Sequence, residues 1–172
     1  MAKYFFILFV IVVTIFVGCK NNEEIPSIIY VPINCDGLVT DTAGTNDNGR
    51  VFMPTAFTSN NDGKNDNIKP SFKNITSMVF TLYDVQNNVV FTSSQIGQGW
   101  VAPAIQTNSY SVYYYKIQAT TNSNKKIGVC GTTYNLTCFP ITILPRSTFY
   151  FEDQLTVNGF TAATTETIGN CP

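Results

Sequence analysis

Ser109-Tyr110-Ser111-Val112-Tyr113-Tyr114-Tyr115-Lys116-Ile117-Gln118-Ala119 is a strand by every local criterion. β-branched and aromatic residues fill it. Tyr110, Val112 and Tyr114 fall on one face, and Tyr113, Tyr115 and Ile117 on the other, because side chains alternate along extended backbone.

Working outward, the neighbouring segments are short strands separated by turn residues. Downstream, Thr121 to Lys125 is a polar turn, and Ile127 to Val129, Phe139 to Leu144, Thr148 to Phe151 and Leu155 to Phe160 read as further strands. Upstream, Gly97 to Thr107 is a loop carrying Trp100. Val89 to Ser93 and Met78 to Val85 form a hairpin about Gln86-Asn87-Asn88, and Val51 to Ala56 is a strand start broken by Pro54. Asp36 to Arg50 is a polar loop, and Ser27 to Ile33 is a first strand interrupted by Pro32. No segment carries a helical period with caps. The expected fold is all-β: a single antiparallel β-sandwich domain over residues 27–172.

Composition agrees. The chain has 172 residues, 9 Tyr, 13 Phe, no His and a formal net charge of −1. That balance gives no electrostatic footprint for nucleic acid.

The first nineteen residues carry an address. Lys3 precedes the apolar run Tyr4 to Val17, which is relieved only by Thr14. The run is too short for a comfortable bilayer span of about 20 residues. It ends in Phe16-Val17-Gly18-Cys19, followed by Lys20-Asn21-Asn22-Glu23-Glu24. This reads as a secretory signal over residues 1–18, cleaved after Gly18. A small residue directly before a cysteine resembles the lipobox of bacterial lipoproteins. The resemblance implies that Cys19 becomes the lipidated first residue, bearing acyl chains such as palmitate. Residues 19–26 would then be a solvated tether, and the membrane a partner through lipid. Lys20 with Glu23 and Glu24 resembles the export tags of surface lipoproteins in gliding bacteria, which implies the outward face of the outer membrane.

With Cys19 set aside, Cys35, Cys130, Cys138 and Cys171 remain. An even number in an exported small domain implies two disulfides. Four cysteines allow three pairings, and the sequence alone does not choose. The short Cys130–Cys138 interval, containing Gly131, favours a local hairpin clip, and this leaves Cys35–Cys171 to tie the first strand to the tail. Zinc is the rival reading, opposed by the lack of histidine and of any Cys-x-x-Cys pair.

Phe52-Met53-Pro54-Thr55-Ala56-Phe57-Thr58-Ser59-Asn60-Asn61-Asp62-Gly63-Lys64-Asn65-Asp66 resembles the opening of the gliding-motility-associated C-terminal domain, a sorting-domain family of type IX secretion. Phe80-Thr81-Leu82-Tyr83-Asp84 with Val89-Val90-Phe91 resembles that family's hairpin. Trp100 stands where the family has Trp-Asp-Gly, and Tyr113-Tyr114-Tyr115-Lys116-Ile117 matches its tyrosine-rich strand. The resemblance covers roughly residues 51–129 and implies an Ig-like sandwich. This chain departs from the family in three respects. Asn61 replaces the first loop glycine. Val101-Ala102 follows Trp100. Residues 130–172, read as additional strands, extend past the point where the family domain closes the chain.

Asn60, Asp62 and Asp66, with Gly63 allowing a sharp turn, offer hard oxygens at alternating positions suited to calcium. The competing reading is an Asx-rich turn satisfied by its own backbone. Asp41, Asp47 and Asn48 are a weaker second group. Catalysis finds little support. Without histidine there is no ordinary triad, and Glu152 and Asp153, adjacent on a strand, would point to opposite faces. Tyr113, Tyr114, Tyr115 and Trp100 could form a sugar-binding platform, although core packing of alternate tyrosines, with the others on an outer face, accounts for them better. Asp41-Thr42-Ala43 resembles a short O-glycosylation signal of exported bacterial proteins. The expected protein is therefore a non-catalytic structural or interaction module at the cell surface. The alternative is a carbohydrate-binding surface component.

Overall fold

A computed structural model describes residues 33–142, 144–156 and 159–172. Cys19, the leader, the tether and most of the expected Ser27 to Ile33 strand lie outside them. Among the described residues the strands are β1 (Arg50–Phe52), β2 (Ala56–Phe57), β3 (Ser71–Lys73), β4 (Ile75–Tyr83), β5 (Val89–Ser93), β6 (Tyr110–Thr121), β7 (Lys126–Leu136), β8 (Leu155–Thr156) and β9 (Gly159–Phe160). The only helical pieces among these residues are two single turns of 3-10 helix, Arg146–Thr148 and Glu152–Gln154. The chain is all-β.

One five-stranded sheet, in the order β2-β7-β6-β4-β5, organises the molecule. β6 lies at its centre, as its two apolar faces require. It runs antiparallel to β7 in unbroken register from Tyr110↔Leu136 to Thr120↔Lys126, and antiparallel to β4 from Met78↔Ala119 to Tyr83↔Tyr114. The β4–β5 hairpin closes through Asn87 at φ 64°, a left-handed position that Asn tolerates better than most residues. The Asp84 carboxylate accepts hydrogen bonds from the Gln86 and Asn88 amides at 2.9 and 2.8 Å.

The expectation of a purely antiparallel arrangement is corrected at one edge, where β2 pairs with β7 in parallel. β1 first pairs with β3 in a separate two-stranded ribbon. The chain then passes Pro54, which has no amide to extend a ladder, bends at Thr55 and changes sheets, as strands at sheet corners do. Thr55 and Ala56 both donate their amides to the Tyr150 carbonyl, at 2.9 and 3.1 Å, which covers that edge.

Each face of the large sheet has its own core. On one face Met78, Phe80 and Leu82 of β4 and Tyr115, Ile117 and Ala119 of β6 pack with Met53, Phe57, Ile68 and Ala102. The β1–β3 ribbon contributes Val51 and Phe72 to this layer. Fully burying each such Phe, Leu or Ile stabilises the fold by about 1.5–3 kcal/mol. On the other face Ala56 and Leu136 pack with Phe139, Phe149 and Phe151, joined by Tyr110 and Tyr134. Residues after β7 are thus the cover of a second face, and the sheet runs straight through the 129/130 boundary, which falls inside β7.

Three expected strands differ. Phe139 to Leu144 makes only an isolated bridge, Phe139↔Asn170. Pro140 has no amide to donate to a ladder. Thr148 to Phe151 begins in a 3-10 turn whose N-cap is Pro145. Leu155 to Phe160 is a small β8–β9 hairpin, with Gly159 at φ 123°.

The favoured disulfide pairing is also corrected. The bonds are Cys35–Cys130 and Cys138–Cys171. Gly131 is not at a turn. It lies mid-strand in β7 opposite Tyr115, and a Cβ there would stand 2.8 Å from the Tyr115 hydroxyl. With β7 extended through Gly131 to Leu136, a rise of about 3.3 Å per residue puts Leu136 roughly 20 Å from Cys130, and the two residues beyond it are too few to bring Cys138 back within bonding range. Cys130 instead meets Cys35, which begins a strap across β6 and β7. Gln118 receives the Val39 amide at 2.8 Å and donates to the Val39 carbonyl at 2.9 Å. The Thr40 hydroxyl receives the Gly128 amide at 2.9 Å, and Asp41 receives that of Lys126 at 2.5 Å.

Candidate functional site

The Asn60–Asp66 loop follows β2 and is built from left-handed residues: Asn61 at φ 60°, Gly63 at 85° and Asn65 at 49°. Asp66 is its hub. One carboxylate oxygen accepts the Asn61 amide and the other the Gly63 amide, each at 2.7 Å. Asp62 accepts the Lys64 amide at 2.9 Å and Asn60 accepts the Asp62 amide at 3.2 Å. All three candidate ligands are thus already hydrogen-bonded to loop backbone, the pattern of nested Asx turns. Among the described residues no group of three His, Cys, Asp or Glu side chains converges as a metal site.

Asp41, Asp47 and Asn48 serve the same end of the sheet, each with a different partner. Asp41 caps the start of β7. Asp47 accepts the Thr121 hydroxyl and the Gly49 amide, both at 2.6 Å. The Thr121 bond first, and the Gly49 bond next, hold its carboxyl below the ordinary aspartate value.

The aromatic platform is not assembled. Trp100 and Tyr113 pack edge to face at 5.0 Å and both lie near Phe57, at 6.4 and 6.2 Å. Tyr115 is buried in the same core and Tyr114 is buried on the opposite face. Tyr114 and Tyr115 are interior on opposite faces, as the alternation along the strand implies, while Trp100 and Tyr113 are half-buried against the first core. Glu152 and Asp153 occupy a 3-10 turn and not a strand. Each has its own partner. Glu152 pairs with Lys69 at 2.9 Å, and Asp153 accepts from the hydroxyls of Thr164 and Thr165 and from the Thr165 amide.

A cleft of about 400 Å³ opens beside the second core, a feature the sequence reading missed. Phe139, Phe149, Tyr150 and Phe151 supply its aromatic walls, and Arg146 and Glu166 also line it. The Arg146 guanidinium sits 4.2 Å above the Phe139 ring and donates to the Ile168 carbonyl at 3.2 Å. Glu166 is 8% exposed. Its bonds come from neutral donors: the Thr58 hydroxyl at 3.1 Å and the Asn65 amide at 3.3 Å on one oxygen, and the Thr167 amide at 3.2 Å on the other. Phe149-Tyr150-Phe151, flanked by Arg146 and Glu152, was the available signal, but a run of that length reads equally well as a strand.

No family model, curated protein or solved structure matches the chain.

Proposed function

We propose that the mature chain is a lipid-anchored outer-membrane protein facing the cell exterior, acting as a non-catalytic structural or interaction module of the adhesion, gliding or secretion kind. The observation that carries this reading is that all four cysteines after Cys19 are joined in pairs. Disulfides persist in oxidising compartments, which suits a chain whose first residues read as an export leader. The resemblance over residues 51–129 to the gliding-motility-associated C-terminal domain supports an Ig-like module. The residues past β7 are built into the second core, which favours an integral module over a detachable sorting tail.

The test is a Cys19→Ser chain expressed in a type IX-competent bacterium. The native chain should incorporate labelled palmitate and be cut when intact cells are treated with protease. The variant should incorporate none and stay unprocessed. Label retained by the variant would overturn the anchor, and protection of the native chain in intact cells would overturn its outward placement.

A further inference from the structure

The C-terminal cleft joins three features: aromatic walls, a cation with unused donors, and a largely buried carboxylate. Arg146 and Glu166 line the same cleft without forming an ion pair with each other. Arg146 makes one hydrogen bond, to Ile168, and Phe139 holds one guanidinium face, so the remaining N–H groups stay available. One oxygen of Glu166 takes two bonds, while the other takes a single bond at 3.2 Å from the adjacent residue's amide. It therefore has room to accept another donor.

These charges select a ligand class by exclusion. A simple cation fits Glu166 and is repelled by Arg146. A simple anion fits Arg146 and is repelled by Glu166. A purely apolar molecule would cover the remaining guanidinium donors and the under-used Glu166 oxygen and leave them without partners, which is costly. A neutral ligand with many hydroxyls satisfies both, since each hydroxyl donates to the carboxylate and accepts from the guanidinium. Such a ligand, when cyclic, also presents C–H faces to aromatic rings. The volume lies within the usual range for small-ligand pockets, about 300–1,000 Å³.

We propose that this cleft is a carbohydrate-binding site, with Glu166 accepting from sugar hydroxyls, Arg146 donating to them and Tyr150 flanking the sugar ring. The proposal takes its ligand class from the carbohydrate reading of the sequence and moves it away from Tyr113, Tyr114, Tyr115 and Trp100. It is independent of the lipid anchor, so either can fail alone.

The experiment uses the chain from Lys20 to Pro172, which holds every described element. Chemical shifts are followed by NMR while neutral mono- and disaccharides, and separately the zwitterions glycine and phenylalanine, are titrated in. Neutral sugars should shift Thr167, Ile168 and Ala162 saturably. Arg146→Gln, an exposed substitution, should weaken that binding by about tenfold or more, as expected for the loss of a charged hydrogen bond. Glu166→Gln should weaken it similarly, with its melt recorded so that loss of binding is read only on folded protein. Three outcomes overturn the proposal: no sugar moves these resonances, only the zwitterions do, or sugars bind the Arg146 variant as tightly as the native chain.

Discussion

Single residues in this chain do much of their work by holding backbone. Asp66 is the clearest case, accepting two amides across the loop that it closes. Asp66→Ala strands both and should cost about 1–2 kcal/mol, a modest figure because water reaches the loop. If the loop is only a set of Asx turns, millimolar calcium should leave the melting temperature of the native chain unmoved, and the variant should melt lower with calcium or with chelator alike. A calcium-dependent rise in the native chain, absent from the variant, would assign Asn60, Asp62 and Asp66 to a bound ion instead. The spacing of Asn and Asp announced a turn rich in side-chain oxygens. It could not say whether those oxygens face an ion or the amides beside them, because both uses favour the same residues.

At the scale of elements, legibility followed locality. The Gln86-Asn87-Asn88 turn and the alternation of Tyr110 to Ala119 depend on near neighbours, and both elements form where expected. The expected strand Ile127 to Val129 runs on as β7 to Leu136, through both Gly128 and Gly131. Each is small because something passes close to it: Leu38 and Val39 over Gly128, and the Tyr115 ring over Gly131. The disulfides were illegible for the same reason, since the pairing depends on which loop covers which face. Peptide mapping of the unreduced protein should recover Cys35 linked to Cys130 and Cys138 linked to Cys171. A Cys130–Cys138 peptide would contradict the course of β7. In the chain-entropy view the bonds close intervals of 95 and 33 residues, worth roughly 4.7 and 3.7 kcal/mol as upper figures. Loss of the second should loosen the Phe139 to Phe151 cover before the sheet itself.

The whole molecule should be sensitive to acid. Burial pushes the Asp153 carboxyl up, but bonds from Thr165, Thr164 and Asn65 outweigh it and leave it below the ordinary value of 3.8. Asp84 is similar: burial raises it, and bonds from Asn88 and Gln86 bring it down. A carboxyl depressed by folding contributes stability that is complete above its unfolded value and is lost as pH falls through its folded one. Urea melts should therefore show stability flat near neutrality and declining below about pH 4. Asp153→Asn should be less stable at neutral pH, with a shallower decline in acid, and an unchanged slope would remove Asp153 from the account. The all-β class was legible from composition and alternation. That one sheet carries a core on each face was not, because it rests on Phe139, Phe149 and Phe151 returning from the far end of the chain.

The Cys35–Cys130 bond also fixes where tension would enter. If the chain is held at Cys19 and something pulls on the domain, the load does not peel the fold from Arg50 inward. It is delivered covalently to Cys130, in the interior of β7, where Lys116 of β6 pairs on one side and β2 joins the other side farther on, at Tyr134 and Asn135. A strand gripped at its middle must shear its neighbours' hydrogen bonds together, whereas one pulled from its end releases them in turn. The strap from Cys35 to Asp41 would then pass load into the sheet through a covalent bond while oxidised, and through its hydrogen bonds alone once that single bond is reduced.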